Sequence, residues 1–233
     1  KRMTQGMPWV SCKMAMSLDG RTAMASGESK WITGADARAD VQRMRASSCA
    51  VVTGVNTILS DDPGLNVREE ELPEEFKAQY TGHQPLRVVL DSSLRTPPDS
   101  RLISLPGQTV FLSRQPHKQQ KDRFAGVDVA IHELASTSSN RLDLSSAMAF
   151  LAKEYECNEV MLEAGPTLSG AAIQAGIVDE VVIYIGPRFL GSDALPLFHL
   201  PGIQRMQDHI ALHLSDMRMI GEDFCITARI KSV

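Results

Sequence analysis

The chain is short of the features that tie a protein to a membrane, a nucleic acid or an oxidising compartment. Among its 233 residues no apolar run approaches the ~18 uncharged residues that mark a membrane span. Lys and Arg (24) are scattered rather than clustered, and with 28 Asp and Glu they leave a formal net charge of -4. No basic stripe is therefore present to neutralise a phosphate backbone. Cysteines number only four: Cys12, Cys49, Cys157 and Cys225. They lie far apart and form no C-x-x-C, so free thiols, mostly buried, in a reducing cytoplasm are expected. The first residues, Lys1 to Pro8, are charged but have no apolar stretch behind them. They do not read as a signal peptide.

Several catalytic signatures are missing as well. The chain has no H-E-x-x-H and no zinc-ligand spacing, and Asp61-Asp62-Pro63 has no histidine or third carboxylate close by in sequence. His209 and His213 fall on an expected strand, where a spacing of four does not bring side chains together. No metal is expected. A G-x-S-x-G elbow is absent, which argues against a serine hydrolase. So are the G-x-G-x-x-G fingerprint and the P-loop, since Gly170 is not followed by Lys.

What is present is an alternation of strand and helix patterns. Val10, Cys12, Met14 and Met16 alternate with Trp9, Ser11, Lys13 and Ala15, the period of a half-buried strand. Ser17 to Gly20 reads as a turn, with a short strand from Arg21. Thr33, with Asp36 three residues on, predicts a helix N-cap and a helix to about Ala46. Cys49–Thr53, Leu86–Asp91, Thr109–Ser113, Val127–Ile131, Val160–Leu162 and Val181–Ile185 predict strands. Gly54–Ser60 suggests one helical turn, and the acidic stretch Glu69–Tyr80 a surface helix. Leu142–Tyr155 predicts an amphipathic helix. A second begins at Pro166 and stops at Gly176, Pro at the first turn and Gly past the last. Near the C-terminus two strands flank Ile220-Gly221-Glu222 as a hairpin. Together these indicate one α/β domain with a mixed sheet flanked by helices and an antiparallel end.

The most informative segment runs from Met161 to Gly170. A strand delivers the chain to Gly165, and a helix starts at once. Free N–H groups and the helix dipole favour an anion there, although an ordinary tight βα connection has the same sequence. Glu163 stands at the strand's carboxyl end, where α/β sheets bind ligands. It can orient substrate or handle protons, or simply be solvated. Lys13 interrupts an apolar strand; it faces solvent or a cleft, where it would stabilise developing negative charge. Arg45 and Arg68 can grip a phosphate through paired hydrogen bonds or lie on the surface. Trp31 can cap a flat ring or cover core.

Taken together the segments say more than each does alone. Lys13-x-Ala15-x-Ser17-Leu18-Asp19-Gly20-Arg21 is followed by Ser26 to Thr33. Then come Gly54-x-x-Thr57-x-x-x-Asp61-Asp62-Pro63-x-Leu65-x-x-Arg68, Arg87 to Ser92, and Glu163 to Leu168. This ordered set, from Pro8 to about Arg229, resembles the reductase half of the bacterial bifunctional riboflavin-biosynthesis deaminase-reductase. The resemblance implies a dihydrofolate-reductase-like fold and NADPH as cofactor. It implies reduction of 5-amino-6-(5-phosphoribosylamino)uracil to the ribitylamino compound, with hydride passing to the sugar's anomeric carbon after ring opening. Carried over by position, Ala15, Trp31, Thr57, Asp61, Ser92, Gly165, Pro166, Thr167, Leu168, Ser169, Gly170 and Ala171 would contact the cofactor. Ser29, Arg45, Leu65, Arg68 and Glu163 would contact substrate, and Lys13, Asp61 and Glu163 would be catalytic. Residues 1–7 would be the linker remnant and 8–233 a single reductase domain. The N-terminal zinc deaminase domain of the family, with its H-x-E and P-C-x-x-C pattern, is expected only in the full-length protein. A homodimer is also implied. Two other readings remain open: a related oxidoreductase with another heterocyclic substrate, and a non-catalytic nucleotide-binding module.

Overall fold

The computed structural model describes residues 1–134, 136 and 141–231. In chain order the elements are α1 (Arg2–Gln5), β1 (Trp9–Ser17), β2 (Arg21–Ala23), α2 (Ala35–Ser47), β3 (Ala50–Gly54) and α3 (Val55–Asp61). There follow α4 (Glu74–Lys77), β4 (Leu86–Leu90), α5 (Arg101–Ser104), β5 (Thr109–Ser113), α6 (Lys118–Asp122) and β6 (Ala130–Glu133). The chain ends with α7 (Leu144–Glu154), β7 (Glu159–Leu162), α8 (Pro166–Gln174), β8 (Glu180–Gly186), β9 (Leu195–Pro196), β10 (Leu212–Ile220) and β11 (Asp223–Ile230). Two compact units are distinguished, one of Lys1–Trp9 and Gln42–Met161, the other of Val10–Val41 and Leu162–Val233.

In the first unit the strand order is β7-β3-β4-β5-β6, and β3, β4, β5 and β6 pair in parallel. Every residue of β4 and β5 is buried. Parallel strands covered on both faces read as continuous apolar runs, as Val88-Val89-Leu90 and Val110-Phe111-Leu112 do. One charge breaks the pattern. Arg87 is 1% exposed. Its guanidinium donates to Thr109 Oγ1 (3.0 Å) and to the carbonyls of Pro106 (2.9 Å), Leu105 (2.9 Å) and Gly107 (2.5 Å). Four charge-assisted bonds offset the desolvation, and the guanidinium holds the loop before β5.

In the second unit the order is β10-β11-β8-β1. The β1–β8 pair is parallel, and β8–β11 and β10–β11 are antiparallel, as the C-terminal hairpin reading requires. A ribbon of β2 and β9 stands apart. The expected alternation of β1 holds as far as Met14: Val10, Cys12 and Met14 are buried between half-buried neighbours, whereas Met16 is half-buried and Ser17 is buried. The β10–β11 hairpin has two chemically distinct faces. By register, Leu212, Leu214, Met217 and Met219 share one face with Ile230, Ala228, Ile226 and Phe224. A bulge between Leu214 and Asp216 absorbs the odd residue that would otherwise move half this stripe to the other side. The opposite face carries Asp216, Arg218, Cys225 and Asp223 and is bound to α2 and the loop before it. Arg218 Nη2 reaches Asp40 Oδ2 at 3.2 Å, and the Tyr184 hydroxyl donates to the same oxygen at 2.6 Å.

Several boundaries differ from the sequence reading: the acidic stretch Glu69–Tyr80 forms only a 3₁₀ turn (Glu69–Glu71) and the short helix α4, and two other shifts have a visible cause in hydrogen bonding. The helix expected to be capped by Thr33 begins at Ala35, because the free N–H of Gly34 donates to the carboxylate of Asp223, 2.6 Å away. A cap supplied from 189 residues later has no local signature. The strand expected at Val127 begins at Ala130, since the Val127 N–H closes a turn on the Phe124 carbonyl. All four cysteines are free, three of them buried. Among the described residues no helix is long and apolar enough to cross a membrane.

Asp19 fixes the turn after β1. Its carboxylate accepts from the Ser17 hydroxyl and from the N–H groups of Leu190 (3.1 Å) and Gly191 (2.8 Å). These bonds, that from Ser17 foremost, hold its pKa down at about 2. A carboxyl with a depressed folded-state pKa contributes stability above the ordinary carboxylate range and loses it as pH falls through the folded value. Asp19→Asn is expected to melt below the wild type at neutral pH, with the gap closing between pH 3.8 and about 2. A gap unchanged across that window in thermal melts would show that the carboxylate's charge does not hold this turn.

Candidate active site

Glu163 follows the last residue of β7, and Lys13 sits at the middle of β1. The structure brings them together: Lys13 Nζ lies 3.5 Å from Glu163 Oε1, with the side chains 16% and 19% exposed. Both charges are thus partly desolvated, which strengthens their attraction over that of a surface pair. A lysine on this strand is therefore not on an open solvent face.

Next to Glu163 the chain turns through Ala164 and Gly165 into α8. Pro166 takes the first helical position, where its missing N–H costs nothing. A Cβ built on Gly165 would meet no atom within 4 Å, and the residue is exposed. A ligand can approach the backbone closely here, facing the unpaired N–H groups of the helix start. Pro166, Leu168 and Ala171 are half-buried and Thr167 is exposed. The other two positions of the segment face inward. Ser169 is fully buried, and its hydroxyl donates to the Ala164 carbonyl (3.3 Å), which braces the turn. Ser169 also hydrogen-bonds the Cys12 thiol, whose pKa burial pushes up to about 11. Gly170 is glycine because a Cβ would stand 2.0 Å from the backbone oxygen of His199.

Three more of the expected residues belong to this unit. Ala15 is half-buried, and its carbonyl accepts from the Thr22 hydroxyl at 3.0 Å. Ser29 is half-buried and Trp31 exposed. The indole is held in place: the Arg38 guanidinium stands 4.4 Å from the ring centroid, and Arg188 Nη1 donates to the Trp31 carbonyl at 2.6 Å. Sequence reasoning missed Arg38 and Arg188, because nothing local marks an arginine that acts on a distant backbone or ring.

In the first unit Thr57 and Asp61 lie on α3. Asp61 ends that helix, exposed, and makes no ion pair among the described residues. Ser92 is half-buried, two residues past the end of β4. Arg45, Leu65 and Arg68 gather about one loop. Arg45 is 8% exposed and donates to the Asn66 carbonyl at 2.9 Å, so it supports the loop from beneath. Leu65, 2% exposed at φ +51°, is core. Arg68 is half-buried; its N–H donates to Gln42 Oε1 (3.1 Å), and its guanidinium pairs with Glu71 at 2.7 Å. Gln42, which also reaches Glu71 at 3.2 Å, was not singled out in the sequence. Among the described residues no cluster of His, Cys, Asp or Glu is arranged to hold a metal.

Residues 8–226 match the family described as the RibD C-terminal domain. The chain belongs to that family. It is 43% identical over 229 residues to the riboflavin biosynthesis protein RibD of Escherichia coli K12, covering 97% of this chain and 61% of that protein. A 5-amino-6-(5-phosphoribosylamino)uracil reductase of Buchnera aphidicola subsp. Acyrthosiphon pisum is 32% identical over 90% of this chain and 100% of its own length. Among solved structures, Acinetobacter baumannii RibD (form 1) superposes with a TM-score of 0.85 at 36% identity, over all of this chain and 60% of that one. The fold is thus the dihydrofolate-reductase-like one of the RibD reductases, as the resemblance implied. The chain spans about three fifths of the length of the RibD proteins it matches.

The Lys13–Glu163 pair can be tested directly in this RibD domain. Lys13→Met and Glu163→Gln are each expected to destabilise by about 1 kcal/mol, because each strands a partly buried charge. The double variant is expected to lose less than the sum, by roughly 0.5–1 kcal/mol. Chemical denaturation of the four proteins measures this; strictly additive losses would mean that the two charges do not interact in solution.

Proposed function

We propose that the chain is an NADPH-dependent reductase that converts 5-amino-6-(5-phosphoribosylamino)uracil into 5-amino-6-(5-phosphoribitylamino)uracil in riboflavin biosynthesis. Membership of the RibD C-terminal domain family over residues 8–226 carries this reading. The local chemistry supports it. The open backbone at Gly165, facing the start of α8, suits the pyrophosphate of a dinucleotide. Trp31, steadied by Arg38, offers a flat surface to a ring. When bound, the nicotinamide supplies the hydride. Ala15, Trp31, Thr57, Asp61, Ser92 and the segment Gly165–Ala171 are the positions assigned to it, with the inward Ser169 and Gly170 shaping the turn rather than offering side chains.

In the reaction the sugar's C1–ring oxygen bond breaks, the ring oxygen gains a proton, and a C=N bond forms between C1 and the exocyclic nitrogen, which gives up its own proton. Hydride then adds to C1, and the nitrogen takes up a proton. Lys13 is assigned to the ring oxygen and the charge that develops there, and Glu163 to orienting substrate and managing protons. Asp61 is the third catalytic assignment. Arg68, half-buried and held by Gln42 and Glu71, is assigned to the sugar phosphate. Arg45 and Leu65 set its loop, and Ser29 completes the substrate contacts. The enzyme is placed in the cytoplasm, where its four thiols stay free.

We also propose that it is a homodimer through the apolar face of the β10–β11 hairpin. Leu212, Leu214, Met217, Met219 and Phe224 are 42–61% exposed on that one face. Together they present on the order of 500 Å² of apolar side chain, the size of the largest patches on monomers, which are often functional. A standard interface removes roughly 800 Å² per partner, so this patch supplies an interface's core. The face carries no charge, so a second copy is its natural complement, meeting it about a twofold axis. The bulge and the charges of Asp216 and Arg218 blunt β10 as an edge, so the contact is face to face.

Two measurements check these readings. Purified chain is expected to oxidise NADPH only when the phosphoribosylamino substrate is added. Lys13→Met is expected to lower kcat about 100-fold or more, and dephosphorylated substrate to be turned over poorly. Near-normal turnover by Lys13→Met would remove that residue from the chemistry, and no NADPH loss with any arm would remove the activity. Sedimentation is expected to give a dimer at micromolar concentration and a folded monomer for Met217→Lys/Met219→Lys; a monomeric wild type would sink the interface.

A further inference from the structure

Between α3 and α4 a short turn sets an arginine against a carboxylate, and the pairing is incomplete. Arg68 leads into the 3₁₀ turn Glu69–Glu71, and the Glu71 N–H donates to the Arg68 carbonyl at 3.0 Å. Side chains three residues apart eclipse on such a turn, so Glu71 stands over Arg68. The carboxylate meets the guanidinium at Nη2, 2.7 Å from Glu71 Oε2. The same oxygen accepts from Gln42 Nε2 at 3.2 Å. Nη2 and Nε lie along one edge of a guanidinium, an edge that can grip two oxygens at once. Here that edge is half used: Arg68 Nε is buried and has no hydrogen-bond partner.

The arginine does not depend on this carboxylate for its place. Gln42, 1% exposed, accepts from the Arg68 main-chain N–H at 3.1 Å. Gln84 clasps the preceding residue as a strand would, accepting from the Val67 N–H (2.8 Å) and donating to the Val67 carbonyl (3.0 Å). Arg45 holds the Asn66 carbonyl at 2.9 Å. Leu72, buried, pins the far end of the turn in the core. The Glu71 side chain, by contrast, is 40% exposed and can swing into water. A buried N–H left without an acceptor is costly. An oxyanion spanning Nε and Nη2 removes that cost, whereas a carboxylate held through one oxygen does not.

We propose that Glu71 is a displaceable stand-in for the substrate's phosphate. It occupies Nη2 of Arg68 in the empty protein, and it leaves when a phosphate grips both nitrogens. It thereby sets how strongly the phosphate binds. The proposal rests on the assignment of Arg68 to the sugar phosphate and adds the residue that opposes it. A phosphate and a carboxylate cannot share the edge, because like charges a few ångströms apart repel. The exchange trades one charge-assisted hydrogen bond for two. Displacing Glu71 costs inorganic phosphate and the phosphorylated substrate alike. Only the substrate, held also through its sugar and its ring, has other contacts to offset that cost, so small anions are kept off the arginine.

The test is steady-state kinetics of the wild-type chain, Glu71→Gln, Glu70→Gln and Arg68→Gln, each first shown to melt like wild type. NADPH and the phosphoribosylamino substrate are supplied, with inorganic phosphate as a competitive inhibitor. Glu71→Gln is expected to tighten inhibition by phosphate about fivefold and to lower KM for the substrate by a similar factor. The gain is expected to shrink with added salt, and KM for dephosphorylated substrate to stay unchanged. Glu70→Gln removes the same charge from the exposed neighbour on the same turn and is expected to change either constant less than about twofold. If Glu71→Gln binds phosphate no better than wild type, or more weakly, the carboxylate supports Arg68 and the proposal is overturned. An equal gain from Glu70→Gln would also overturn it, by reducing the effect to net charge. Arg68→Gln is expected to raise KM for the phosphorylated substrate. If it does not, the phosphate assignment falls and this proposal with it, while the reductase reading stands. A wild-type chain that oxidises no NADPH would overturn all three.

Discussion

Parallel strands hydrogen-bonded in register all finish on the same side, and most of what this molecule does with its loops follows from that. In the first unit β3, β4, β5 and β6 end together, so α3 with Thr57 and Asp61 and the loop with Ser92 leave from one side. In the second unit β1 and β8 run in register to Ser17 and Gly186. No residue's intrinsic preference demands this. It is set by pairing geometry and by the burial of β4 and β5 on both faces, which leaves the strand ends as the place where polar groups can stand.

Loops leaving a common side have no ladder of their own, and here side chains supply the missing bonds. Asp19 gathers the N–H groups of Leu190 and Gly191; Asp91 gathers Thr96; Arg123 takes the carbonyls of Leu94 and Thr96; Arg45 takes that of Asn66. Arg87 does the same for the loop before β5. In each case main-chain groups, joined by a hydroxyl at Asp19, Asp91 and Arg87, bond a charged side chain and so hold the loop. The Lys13–Glu163 pair is of the other kind, two charges facing each other at 3.5 Å. That distinction separates the residues that brace the fold from the pair assigned to chemistry.

The sequence made the alternating strand of Lys13, the Pro166-to-Gly176 helix and the C-terminal hairpin legible, because each rests on a local period or a local stop signal. The site was legible only in part. Glu163 and Gly165 were marked by a strand running into a glycine and a helix, whereas Lys13 became informative only once its partner was known. Arg45 and Arg68 read alike in sequence, yet one is core support and the other half-buried. What separates them is a contact to Asn66, 21 residues away, set by packing and not by spacing. Asp223 capping Gly34 and Arg188 holding Trp31 were invisible for the same reason. The short β9, only two residues long, falls below what periodicity can detect.

The bulge in β10 has a consequence for how this strand can vary. Between Leu214 and Asp216 it restores the count that keeps Leu212 and Leu214 on the side of Met217 and Met219. Removing one residue there would turn the leading leucines toward the side that carries Arg218 and Cys225, and adding one elsewhere in the strand would do the same to the methionines. The strand therefore behaves as a parity check on its own length. Across relatives, changes of length within it should arise in compensated pairs.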